Sequence, residues 1–185
     1  MPNYKKDGTD IKNLISDFMS VSHIKSKLGF IKNKEISDWE KWLQLELQYY
    51  IDSTEKYEVE REVNALPDKR KLKGRSHIFI DIIFRKFGTA IGQFYFVELK
   101  TNPYMSSLYS LMCEDYNKLR GVLSCEYNQR SSWFVGFYTI TDQPNRPEVY
   151  NMIKQDAWEY FFNDEFQVGK NNKIGVLILG HPVRE

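Results

Sequence analysis

The stretch Phe94-Tyr95-Phe96-Val97-Glu98-Leu99-Lys100 decides how this chain is read. Its aromatic and β-branched beginning predicts a buried strand, yet it ends in a carboxylate and an ammonium two positions apart. Side chains at i and i+2 of a strand share a face. Glu98 and Lys100 therefore point the same way, beside Phe94 and Phe96. A charged pair there is either a solvated strand end or a site, and the flanking segments must decide between the two.

Upstream, Ser76–Phe84 (SHIFIDIIF) reads as a second buried strand carrying one charge, Asp81, on the face of Phe79 and Ile83. The segment FRKFGTAIGQ, with Gly88 and Gly92, reads as a hairpin connection between the two strands. Pairing through that hairpin makes Asp81 and Glu98 neighbours. Two buried carboxylates repel and shift each other's titration, which a divalent cation between them relieves. Oxygen ligands without His or Cys favour Mg²⁺ or Mn²⁺ over zinc. Lys100, two residues from such a ligand, can orient a water or stabilise charge at a phosphate.

Further upstream, Tyr57–Val63 (YEVEREV) alternates as a strand, with Val59, Arg61 and Val63 opposite Glu58, Glu60 and Glu62. Ser37–Ile51 predicts a strong helix, with Ser37 as N-cap and Glu40 three residues on as in a capping box. Trp39, Trp42, Leu43 and Tyr50 form its apolar face. Glu46 falls at the centre of that face, where an unpartnered carboxylate costs several kcal/mol. Asp10–Met19 predicts a short amphipathic helix, followed by Lys25, Lys27, Lys32 and Lys34 among apolar residues. That lysine run reads as a solvated face or, more sharply, as a phosphate-facing surface.

Downstream, Asn102-Pro103 ends the strand, Tyr104–Gly121 predicts a helix and Ser131–Ile140 a buried strand. A helical link between strands of one sheet is the kind of crossover that joins parallel neighbours. Glu148–Phe162 is expected to be a helix entered through Pro147, and Lys173–Gly180 a last strand. The fold class is α/β, a central mixed sheet flanked by helices. The 185 residues suggest one domain: a helical, lysine-rich appendage over 1–36, a core over 37–140, and a helix and strand over 141–185.

Three carboxylates thus interrupt apolar contexts: Glu46 on a helix, Asp81 within a strand, Glu98 near a strand end. Asp81 followed by F-V-E-L-K (Phe96–Lys100), with a helical Glu46 before both, resembles the PD-(D/E)XK phosphodiesterase superfamily, the restriction-endonuclease-like fold with an αβββαβ core. Ile80 stands where the proline of that motif would be. The resemblance implies a Mg²⁺- or Mn²⁺-dependent nuclease acting on DNA. Asp81, Glu98 and the Leu99 carbonyl would hold the cation, Lys100 would act on the attacking water, and Glu46 would be an additional helix carboxylate. Glu62 matches an acid that some compact members carry. Glu114-Asp115-Tyr116-Asn117-Lys118-Leu119 resembles a D-x-x-K-L pattern, which makes Asp115 and Lys118 accessory candidates.

Composition bounds the partners. The net charge is +1, from 26 basic and 25 acidic residues, so any nucleic-acid surface must come from local clustering. The loop Pro67–Arg75, with Lys69, Arg70, Lys71, Lys73 and Arg75, is such a cluster, read equally as a solvated turn or a phosphate contact. Two cysteines and three histidines assemble no zinc spacing and no disulfide framework. No run approaches the roughly 18 apolar residues of a membrane span, and a cytoplasmic protein is expected. Duplex DNA is the expected substrate, ahead of RNA or a single strand, which only the aromatic content suggests. A homodimer is expected because cutting two strands calls for two sites. The competing expectation is a catalytically inactive nuclease-like module that binds nucleic acid or a protein.

Overall fold

The computed structural model describes residues 4–74, 76–89 and 93–182. Its elements in chain order are α1 (Tyr4–Ser20), α2 (Ser22–Asn33), α3 (Glu40–Ser53), β1 (Tyr57–Pro67), β2 (Ile78–Lys86), β3 (Phe94–Asn102), α4 (Met105–Leu119), β4 (Val122–Cys125), β5 (Gln129–Tyr138), α5 (Arg146–Gln155), β6 (Tyr160–Gln167) and β7 (Lys173–Pro182). The strands form one seven-stranded mixed sheet in the order β4-β1-β2-β3-β5-β7-β6. β1, β2 and β3 form an antiparallel meander, β3 and β5 are parallel across the α4 crossover, and β5, β7 and β6 are antiparallel.

Helices cover both sides of the sheet. α1, α2 and α3 pack with Ile82, Val97, Leu99, Trp133 and Ile178 in one apolar cluster. α4 and α5 pack with Ile83, Phe96, Phe134 and Leu179 in the other. Burial on two faces explains why β3 and β5 read as nearly continuous apolar runs rather than alternating ones. The N-terminal residues are no peripheral appendage, because Ile11, Leu14, Ile15 and Phe18 of α1 and Ile24 and Leu28 of α2 are buried in the first cluster. Among the described residues no helix is long and apolar enough to cross a membrane.

Several boundaries depart from the sequence pattern. α3 starts at Glu40 with Trp39 at its N-cap and no side-chain capping bond, so the Ser37–Glu40 capping box does not form. The lysine-rich stretch is a helix, α2, with Lys27 bound to Glu46 and Lys32 Nζ donating to the Lys173 carbonyl at 2.7 Å. The helix expected over Glu148–Phe162 stops at Gln155, and Tyr160–Gln167 pairs with Lys173–Gly180 of β7. Tyr160 continues the helical spacing of Val149 and Ile153, but Tyr160, Phe162 and Phe166 share a face only at the strand period of two. Pairing with β7 wins because it covers an otherwise open apolar strand edge. Gly92 of the expected hairpin lies outside the described residues.

The sheet changes face at one point. Val59 pairs with Phe84, and both belong with the α1–α3 cluster; Val63 pairs with Ile80, and both belong with the α4–α5 cluster. Unbroken alternation would put Val59 and Val63 on the same face. The ladder skips only Glu62 and Asp81, with the same register before and after. Glu62 has φ 52°, the left-handed region that turns the following residues over. The expectation that Val59, Arg61 and Val63 share a face is thereby corrected, as is the grouping of Asp81 with Phe79 and Ile83. Ile83 is buried against α4 and α5, whereas Phe79 is 56% exposed.

A β-branched residue suits a strand but tolerates positive φ poorly. Glu62→Ile is therefore expected to lower Tm by about 2–6 °C, while Glu62→Gly leaves Tm unchanged or raises it. Thermal unfolding of the two variants checks this; an isoleucine variant as stable as the parent would mean that the reversal does not need the left-handed residue.

Candidate active site

The β2–β3 ladder pairs Phe84 with Tyr95, Ile83 with Phe96 and Ile82 with Val97, and then the strands part. At the next position Asp81 replaces the missing main-chain acceptor: its Oδ2 accepts the Leu99 N–H at 2.8 Å. A residue facing an antiparallel neighbour directs its N–H and C=O to the same side, so the Leu99 carbonyl opens on the same fork. It accepts a hydrogen bond from Lys100 Nζ at 3.3 Å. On its other side β3 stays paired, Glu98 with Phe134 and Lys100 with Gly136 of β5, so the opening is confined to the side of β2.

α4 brings two more charged groups over this fork. Asp115 and Lys118 lie one turn apart, which places them on one helix face. Lys118 Nζ donates to Glu98 Oε2 at 2.5 Å and to the Phe79 carbonyl at 3.3 Å, and lies 3.4 Å from Asp115 Oδ1. Lys100 Nζ lies 3.1 Å from Asp115 Oδ2 and donates to Glu40 Oε1 at 3.3 Å. Glu40 Oε2 also accepts the Thr101 N–H at 3.2 Å, which ties the first turn of α3 to the end of β3. Four carboxylates, Glu40, Asp81, Glu98 and Asp115, thus surround two ammonium groups.

The electrostatics follow from that imbalance. Glu98 is 1% exposed, and its Oε1 makes no hydrogen bond. Burial first, and the Asp81 charge second, push its carboxyl well above the usual carboxylate range against the pull of Lys118. Burial would lower the Lys100 pKa, but Asp115, Glu40 and Asp81 together outweigh it and hold the ammonium above its ordinary value. Lys118 is likewise held up, its burial outweighed by Glu98 and Asp115. Both lysines are charged at neutral pH, so each acts as a fixed cation and donor rather than as a proton acceptor.

Asp81, Glu98 and the Leu99 carbonyl are hard oxygen donors, and the orphaned Glu98 Oε1 is a buried acceptor with no partner of its own. Mg²⁺ fits such a set, because it is usually held by one or two carboxylates and keeps several waters. Among the described residues no group of three or more His, Cys, Asp or Glu side chains forms a ready-made metal cage. Water would therefore have to complete the coordination.

The fork gathers Asp81, Glu98, the Leu99 carbonyl and Lys100, and α4 adds Asp115 and Lys118. Glu46 lies elsewhere. It binds Lys27 of α2, accepts from Trp42 Nε1 at 3.0 Å and sits 3.5 Å from His23 Nε2. Burial raises its pKa, yet these partners outweigh it and hold the carboxyl low. Six residues separate Glu46 from Glu40, about 120° around the helix and about 9 Å along it. Glu40 is therefore the α3 carboxylate that reaches the fork. The sequence offered the signal of an acid in the first turn, but capping accounted for it. Glu62 turns to Lys41 and Arg61 on the α3 side. In the basic loop, Arg70 forks onto Asp68 at 3.1 Å through both Nε and Nη2, and Lys71 donates to the Arg120 carbonyl. Lys69 and Lys73 are exposed, and Arg75 lies outside the described residues.

A carboxyl whose folded pKa is raised keeps its proton at pH values where the unfolded chain has lost it, so it lowers stability as pH rises. Glu98→Gln removes that slope. Its stability relative to the parent is expected to increase as pH rises above the ordinary glutamate value of about 4.5. Urea denaturation at a series of pH values measures the difference; a constant offset would contradict a buried, charge-crowded Glu98.

Comparison of the chain with protein-family models, with curated proteins and with solved structures returns no match.

Proposed function

We propose that this chain is a Mg²⁺-dependent deoxyribonuclease of the PD-(D/E)XK type, hydrolysing a phosphodiester by in-line attack of water. The observation that carries the reading is the β2–β3 fork, where Asp81, Glu98 and the Leu99 carbonyl meet beside the partly buried ammonium of Lys100. A divalent cation held there would supply Lewis-acid activation of water and neutralise charge on the phosphate. Asp81 and Glu98 would hold it, while Asp81 also accepts the Leu99 N–H. Lys100, kept charged by Asp115 and Glu40, donates to the attacking water or to a phosphate oxygen and stabilises the charge that builds up in the transition state. Glu40 is a positioning residue, since it aims Lys100 from α3. Lys118 balances Glu98. The substrate of this reading is duplex DNA, and cleavage of both strands would call for two copies of the chain.

One observation favours the second reading, a nuclease-like module that binds without cutting: Lys118 already engages the Glu98 carboxylate that a cation would need. Titration calorimetry with Mn²⁺ separates the two, since the binding module takes up no metal even with DNA present.

The nuclease reading predicts cleavage of plasmid or linear duplex with Mg²⁺ or Mn²⁺. Asp81→Asn, Glu98→Gln and Lys100→Ala are each expected to lose at least about 100-fold in rate. Glu40→Gln is expected to lower kcat by about 10-fold through misplaced Lys100, and Glu46→Gln to leave it unchanged. Cleavage that persists in Asp81→Ala and Lys100→Ala would overturn the assignment of the site.

A further inference from the structure

The face reversal at Glu62 and Asp81 leaves part of the sheet uncovered. α3 runs over the first half of β1, with Gln48 bonded to Arg61 and Lys41 to Glu62, and it begins at Glu40. Its cover ends at the level of the reversal. Beyond that point Val63, Ala65 and Ile80 face α4. Their neighbours Asn64, Leu66, His77 and Phe79 face the opposite side, where Asn64 Oδ1 and His77 Nδ1 lie 3.1 Å apart. Phe79 is 56% exposed, Leu66 49% and, on edge strand β4, Leu123 66%. Exposed large apolar residues gathered on one sheet face mark an interaction surface.

Its border is cationic. The loop after β1 carries Lys69, Arg70, Lys71 and Lys73 against one acid, Asp68, which Arg70 already binds. Lys69 and Lys73 are exposed and form no ion pair with another described residue. A cavity of about 600 Å³ joins the two characters, lined by Leu66 and Leu123 on one side and by Lys69 and Arg70 on the other. Phe79 borders both features, the open face through its exposed ring and the fork through its main-chain carbonyl, which accepts from Lys118, the lysine that holds Glu98.

We propose that this open face of β4-β1-β2 is a track for an unpaired stretch of nucleic acid leading into the fork. Bases stack on Phe79 and pack against Leu66 and Leu123, while Lys69 and Lys73 meet phosphates. Aromatic faces capture bases only when the bases are out of a duplex, and such stacking tolerates any sequence. A duplex would offer its phosphates to the loop and nothing to the phenyl ring. The favoured substrate of the proposed nuclease is therefore duplex DNA that carries a single-stranded segment. This inference rests on that reading for the direction of the strand, but the binding itself does not need catalysis.

The test is fluorescence anisotropy of the full chain in EDTA, with a labelled oligothymidylate and a labelled duplex of the same length. Phe79→Ala is expected to weaken single-strand binding about 10-fold with unchanged duplex binding and unchanged Tm. Phe79→Trp is expected to retain binding, with indole fluorescence quenched by the oligonucleotide. Lys69→Gln with Lys73→Gln should reduce the slope of log K against log salt by roughly 1–2. Equal single-strand affinity of Phe79→Ala and the parent would overturn the track. So would absence of single-strand binding, including the case in which Phe79→Ala instead dissolves a dimer or a protein complex. Mn²⁺ uptake by the parent and its loss in Glu98→Gln, measured alongside, keeps the outcomes distinct. Uptake without single-strand binding overturns the track alone, and single-strand binding without uptake overturns the nuclease alone.

Discussion

The hydrogen bond from the Leu99 amide to the Asp81 carboxylate lets two neighbouring strands separate without leaving a buried main-chain donor unpaired. An unpaired donor in that position would cost about 1–3 kcal/mol, because Leu99 is fully buried. Because a side chain supplies it, the strands can open between the start of β2 and Ile82, and the Leu99 carbonyl faces a fork instead of a ladder. The reversal at Glu62 belongs to the same feature. It occupies the ladder position opposite Asp81, so one short irregularity in two adjacent strands makes the fork and turns Phe79 outward.

Charge then has to be accommodated where the fork lies. Glu98 and Asp115 are buried, and the carboxylates outnumber the ammonium groups that touch them. The arrangement persists because each lysine serves more than one acid: Lys100 meets Asp115 and Glu40, and Lys118 meets Glu98 and Asp115. Removing either partner of a buried pair is costly, whereas the intact pair adds little net stability. Such a cluster is poorly explained as a stabilising device, and its residual negative charge suits a cation better than a core.

Much of this was legible along the chain. Asp81 and Glu98 break apolar runs, Lys100 follows at a same-face spacing, and the crossover helix between β3 and β5 implies a parallel pair at the centre of the sheet. The D-x-x-K spacing of Asp115 and Lys118 marked one face of α4. Less visible was the choice between Glu40 and Glu46. Both lie on α3, and periodicity alone favoured Glu46 because it sits amid apolar residues. Its partner comes from Lys27 on α2, a residue distant in sequence. β6 was hidden for a similar reason: Tyr160 continues the helical spacing of Val149 and Ile153, and pairing with the open edge of β7 selects the strand.

By itself the sequence determined the mixed α/β class, the central strands and the residue types that interrupt them, because burial pattern and local propensity act over a few residues. The tertiary structure alone decided which acid of α3 reaches Lys100, which lysine balances Glu98, and which way Phe79 points. Those outcomes depend on helix start, on strand pairing and on one positive φ, and each is settled by contacts between segments that the chain keeps far apart.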